Sequence, residues 1–152
     1  MLELFFFVLG IVNSAFLIII FLIRKNRLAL LQRIGWTYLL LALPAIYGIF
    51  LVFQEHKTIR YGIFLGIFLA FLVLEWLFDY VLKINFRENW KQNWKWMLPY
   101  LVLYYAMNYG FVVMPWKTYL PWGLVMLGLF IIQILTNLMS HPKISSKKPL
   151  KV

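Results

Sequence analysis

Apolar residues run through this chain in five long blocks, each closed by charge, by proline or by both. The blocks occupy roughly 2–23, 34–53, 61–82, 96–114 and 119–139. A helix of about 20 predominantly apolar residues crosses the hydrocarbon of a bilayer. The pattern therefore predicts an all-α, polytopic integral membrane helix bundle of five transmembrane helices. It also divides the chain into a transmembrane domain over 1–139 and a basic tail over 140–152. The tail has no apolar periodicity, and we read it as disordered and held loosely by anionic lipid.

Composition supports this division. Of 152 residues, 64% are hydrophobic and only 13% are charged, where a soluble domain carries about a quarter. So little polar surface cannot coat a globule in water, and lipid must be the solvent. Met1-Leu2-Glu3 leads straight into the first block with no basic stretch ahead of it, and Asn13-Ser14-Ala15 is a poor cleavage site. The first helix is accordingly expected to stay in the mature protein.

Charge sets the expected orientation. The first and third connections and the tail hold twelve of the lysines and arginines, and the other two connections hold three: Lys57, Arg60 and Lys117. Basic connections stay in the cytosol, so the N-terminus is expected outside and the C-terminus inside, in a plasma (inner) membrane. The net charge of +10 then reflects attraction to anionic lipid headgroups, and no nucleic acid partner is expected. Trp36, Trp90, Trp94 and Trp96 mark the cytosolic interface, and Trp116 and Trp122 the outer one.

The third connection has its own pattern. Asn85 and Glu88 are spaced as a capping box. After them Phe86, Trp90 and Trp94 recur every four residues beside Arg87, Lys91 and Lys95. An aromatic stripe next to a basic one predicts a short helix in the headgroup plane. Trp90, Trp94, Arg87, Lys91 and Lys95 are its expected lipid contacts.

Candidate chemistry lies in the few polar residues inside the blocks. Glu75, Asp79 and Lys83 follow one another at four-residue spacing on one helical face. Asp79 and Lys83 are near the interface, where an ordinary ion pair is expected. Glu75 lies deeper, and an ionisable residue at that depth is a functional hypothesis by default. Gln133, Thr136 and Asn137 share a face of the fifth block. Tyr100, Tyr104 and Asn108 form a stripe on the fourth, and Gly10, Asn13 and Ser14 a face of the first. Pro44 is expected to kink the second. Lipid satisfies none of these groups, so they should point inward. The candidate solute- or proton-binding residues are thus Glu75, Asp79, Gln133, Asn137, Tyr104, Asn108 and Asn13.

Gly62 and Gly66 form a small-residue packing motif on the face opposite Glu75. A gapped internal repeat also pairs Tyr47-Gly48 and Gly66 with Tyr109-Gly110 and Gly128, and transporter sites often lie between such halves. Catalytic motifs are scarce. There is no cysteine, which removes disulfides, thiol catalysis and cysteine metal sites. His56 and His141 have no second ligand at metal spacing, so neither a metal nor another cofactor is expected.

Three readings follow. The chain binds or passes a small solute or ion, with Glu75 as the protonatable centre. Alternatively it is a non-catalytic subunit that anchors or assembles a membrane partner, or a homo-oligomer. The third reading is a lipid-phosphate-modifying enzyme, with Glu75 and Asp79 holding Mg²⁺ beside Arg87 and Lys91.

Overall fold

The computed structural model describes residues 1–26, 35–82 and 94–140, and all the regular structure in them is helical. α1 spans Leu2–Asn26. A 3₁₀ segment, Gly35–Leu41, runs directly into α2, Ala42–Gln54. α3, Ile59–Trp76, is prolonged by a π-helical turn, Leu77–Val81. α4 spans Trp94–Thr118 and α5 Leu120–Ser140. Five stretches are long and apolar enough to cross a membrane, and they fall on the five blocks of the sequence. Most of the expected interfacial helix, including Arg87, Trp90 and Lys91, lies outside the described residues, as do Lys83 and the basic tail. Trp94 and Lys95 open α4, both exposed.

Proline bears on the winding at two places. Pro44 has no N–H for the Leu40 carbonyl, and its ring crowds that carbonyl. The chain responds with a change of winding ahead of it, from 3₁₀ over Gly35–Leu41 to α from Ala42. The fourth block is expected to end at 114, ahead of Pro115, yet α4 continues to Thr118. One missing donor is tolerated because the last turn is closed otherwise. The Thr118 hydroxyl donates to the Met114 carbonyl at 3.2 Å, and the Tyr119 N–H donates to that of Pro115 at 2.9 Å.

The helices form a ring in chain order, closed by α1 against α5, and α1 also reaches across to α4. The inward stripe of α1 is Leu2, Phe6, Leu9, Asn13, Leu17 and Phe21, at three- and four-residue spacing. Toward its N-terminal end the ring is filled by aromatic side chains. Phe6 packs on Tyr61 and Phe111, Phe111 on Phe68, and Phe7 stacks on Trp122 with the rings 6° from parallel. In lipid, where apolar burial drives association little, van der Waals packing of this kind holds helices together.

Polar contacts close the same end. Lys57 donates to Glu3 at 2.9 Å, the Leu2 N–H donates to Glu55 at 3.2 Å, and Tyr61 and Thr118 share a hydrogen bond of 3.2 Å. The Glu3 carboxylate holds the Lys57 ammonium above its ordinary range. His56 takes a left-handed conformation, φ 48°, just beyond α2, and the Lys57 N–H reaches back to the Val52 carbonyl at 3.1 Å. A glycine usually fills that position, so a histidine there carries no sequence signal for the cap.

Candidate functional site: a polar cluster drawn from every span

Each span sends at least one polar side chain to the interior of the half of the bundle away from residues 1–3. Asn13 comes from α1, Tyr38 from the 3₁₀ segment and Glu75 from α3. Tyr100 and Tyr104 come from α4, and Gln133 from α5. Hydrogen bonds join these elements in pairs. Tyr38 donates to Asn13 Oδ1 at 2.8 Å, Tyr100 to Glu75 Oε1 at 2.8 Å, and Tyr104 to Gln133 Oε1 at 3.1 Å. The pairs are close enough to act on one another, since Tyr38 lies within electrostatic range of Glu75, Tyr100 and Tyr104. Tyr100 and Tyr104 stack at 6.5 Å, and the buried ring of Phe71 touches both.

Irregular winding aims two of these residues. Tyr38 is buried within a seven-residue 3₁₀ segment, where runs above about four are uncommon. Glu75 stands at the end of α3, immediately before the π turn, in which the Leu82 N–H reaches back five residues to Leu77. Such turns often accompany functional sites. Glu75 is half-buried toward Tyr100, whereas Asp79 is exposed. The two carboxylates thus differ in environment, and among the described residues no group of three or more metal-ligating side chains forms.

The remaining candidates are placed less centrally. Asn108 is buried, but its amide donates to the Tyr104 carbonyl at 2.9 Å on its own helix. Thr136 likewise turns back on α5, donating to the Ile132 carbonyl at 2.8 Å. Asn137 is half-buried, and its backbone carbonyl accepts from Ser140 at 2.7 Å. Its side chain hydrogen-bonds to no other described residue.

Gln133 has the most telling surroundings. It is fully buried, and its Nε2 has no hydrogen-bond partner. Leaving an amide donor unpaired in a dry interior costs about 1–3 kcal/mol. The Oε1 of the same amide already accepts from the Tyr104 hydroxyl. This combination offers a donor, two phenols and a carboxylate to something small that can accept and exchange hydrogen bonds.

Sequence reasoning missed Tyr38, which has no polar neighbour at helical spacing and reads as one more interfacial aromatic. Its inward aim depends on the 3₁₀ winding. The Gly62–Gly66 motif is also placed differently from expectation. A Cβ on Gly66 would meet nothing within 4 Å, and one on Gly62 only Val52 at 3.9 Å. α3 packs through Tyr61, Leu65, Phe68, Phe71 and Leu72 instead. The matched glycines of the gapped repeat do behave alike: Gly48 and Gly110 both lie under a side chain, and Gly66 and Gly128 both face open space.

Taken together, five apolar helices and an interior too polar for lipid define a small multi-pass membrane protein. No known protein family, curated protein or solved structure matches the chain.

Proposed function

We propose that the chain binds or passes a small polar solute or ion at this cluster, exchanging a proton through Glu75 and Tyr100. The observation that carries the reading is the unpaired, fully buried Gln133 amide within a cluster supplied by every span. Structural hydrogen bonds alone would be expected to pair such a donor. In this reading the basic connections face the cytosol of a plasma (inner) membrane, with the N-terminus outside. The 85–95 segment lies among anionic headgroups.

Glu75→Gln tests the proposal, because it keeps the shape and can still accept from Tyr100 but cannot titrate. Reconstituted into vesicles with a pH-sensitive dye inside, the variant should fold and lose pH-dependent proton uptake. Full pH-dependent uptake by Glu75→Gln would sink the proposal. Orientation is tested separately. Cysteines placed at Thr58 and Ser146 of this cysteine-free chain should react with an impermeant thiol reagent from opposite sides. Labelling from one side would mean an even number of crossings between them.

A second reading, that of an anchoring subunit or oligomer, draws on the open faces at Gly66 and Gly128. Flat, side-chain-free helix faces of this kind suit close approach by another helix.

A further inference from the structure

We propose that the cleft between α3 and α4, at the end of the bundle bearing residues 1–3, is a site for one anionic phospholipid. Its phosphate sits between Arg60 and Lys117, and one acyl chain lies along Ile63, Phe64, Tyr109 and Val113. The inference is independent of the polar cluster. The cleft measures about 390 Å³ and is lined by those six residues together with Met114.

Its shape comes from a glycine. Gly110 lets the Phe64 ring sink onto the α4 backbone, where a Cβ would overlap the ring. Phe64 and Tyr109 then lie 6.1 Å apart as its wall. Arg60 is the second residue of α3, and Lys117 is the next-to-last of α4. Both cations therefore stand at the rim, at headgroup level. From Lys117 down to Tyr109 the groove descends about 12 Å at 1.5 Å per residue, which takes it from headgroups into hydrocarbon.

Charge decides the occupant. The two acids at this end are already engaged, Glu3 by Lys57 at 2.9 Å and Glu55 by the N-terminal amine at 3.4 Å. Neither of those ion pairs includes Arg60 or Lys117. Two exposed cations on different helices, one a planar fork suited to phosphate, overhang an apolar groove. A neutral lipid would leave them without an anion. A second copy seated symmetrically here would set each cation against its equivalents, which disfavours that contact. An anionic headgroup above a buried acyl chain satisfies both halves of the cleft.

The test uses the full chain reconstituted in equal parts phosphatidylcholine and phosphatidylglycerol, then transferred to mild detergent for native mass spectrometry. The wild type should retain one phosphatidylglycerol in preference to phosphatidylcholine, on the order of tenfold. Arg60→Gln with Lys117→Gln should bring the preference to parity, and Arg60→Lys with Lys117→Arg should keep it. Ile63→Trp fills the groove without touching charge and should abolish retention. Equal retention of the two lipids by the wild type, or unchanged preference in the charge-removed variant, would overturn the site. Displacement of the lipid by inorganic phosphate would do so too, since it would show an anion site indifferent to the chain. So would disulfide cross-linking of Ile63→Cys between copies, which would show a protein contact in the cleft.

Discussion

The two halves of this bundle are held together in opposite ways. Near residues 1–3 the interior is a set of interlocked rings, with Phe6, Phe68 and Phe111 all buried to within 2% of full exclusion. The winding of the helices there is regular. In the other half hydroxyl, amide and carboxylate groups stand among buried rings such as Phe21, Phe71 and Phe78, and two of the spans depart from α geometry at or beside the residues that supply those groups. Ring packing is insensitive to small rotations of a helix, because dispersion is spread over many weak contacts. Hydrogen bonds between elements depend on aim, so 3₁₀ and π windings accumulate where aim matters. The regular half packs chiefly through rings, and the irregular half is where the polar contacts between spans are concentrated.

The comparison is broken most directly by removing a ring. Phe111→Ala takes away contacts to both Phe6 and Phe68 and should cost about 3–5 kcal/mol, as large core truncations do. Unfolding in mixed micelles measures it, and pH-dependent proton uptake by the fraction still folded should be unchanged. A loss confined to uptake, with stability intact, would mean that the two halves are not separable in this way.

Glycines sharpen the contrast at intermediate size. Gly110→Ala drives a methyl into Phe64 and should cost about 1–3 kcal/mol by overpacking. Gly66→Ala meets nothing and should be neutral or stabilise by up to about 1 kcal/mol, because alanine favours the helix. Thermal unfolding of the two variants side by side checks this. If Gly66→Ala instead shifts the protein to a smaller assembly on size exclusion, that face belongs to a partner and the anchoring reading moves ahead.

The smallest expected loss of stability is in the polar half. Tyr38→Phe removes the donor to Asn13 and should cost about 0.6–2 kcal/mol, the range for hydrogen bonds between membrane helices. Its readout is unfolding in the same micelles, with the Phe111 variant as the scale. A loss as large as that of Phe111→Ala would make the polar cluster the main support of the fold.

Much of this architecture was legible in the sequence, and the part that was not has a common cause. Block length and closing charges gave the five spans, because lipid admits few alternatives to a long apolar helix. The same logic placed Glu75, Tyr104, Gln133 and Asn13 inward, and all four are found in or beside the cluster. Periodicity assumes a constant 100° per residue, and it fails where the winding changes. Tyr38 is invisible for that reason, and Asp79, spaced with Glu75 on one face, is exposed where Glu75 is half-buried. Gly62 and Gly66 mislead differently. The spacing marks a face flat enough for a close neighbour, but this chain supplies none there.

The seven-residue 3₁₀ segment also bears on how the protein fits its bilayer. At about 2.0 Å per residue, against 1.5 Å in an α-helix, it lengthens its span from about 30 Å to about 33 Å. Rewinding it as α-helix would shorten the span by that difference. It would also turn Tyr38 by about 60° relative to Leu41, away from Asn13. The length of this span and the aim of one buried hydroxyl are therefore linked through one winding. In short-chain lipids the Tyr38–Asn13 contact should open, and in thicker ones it should hold.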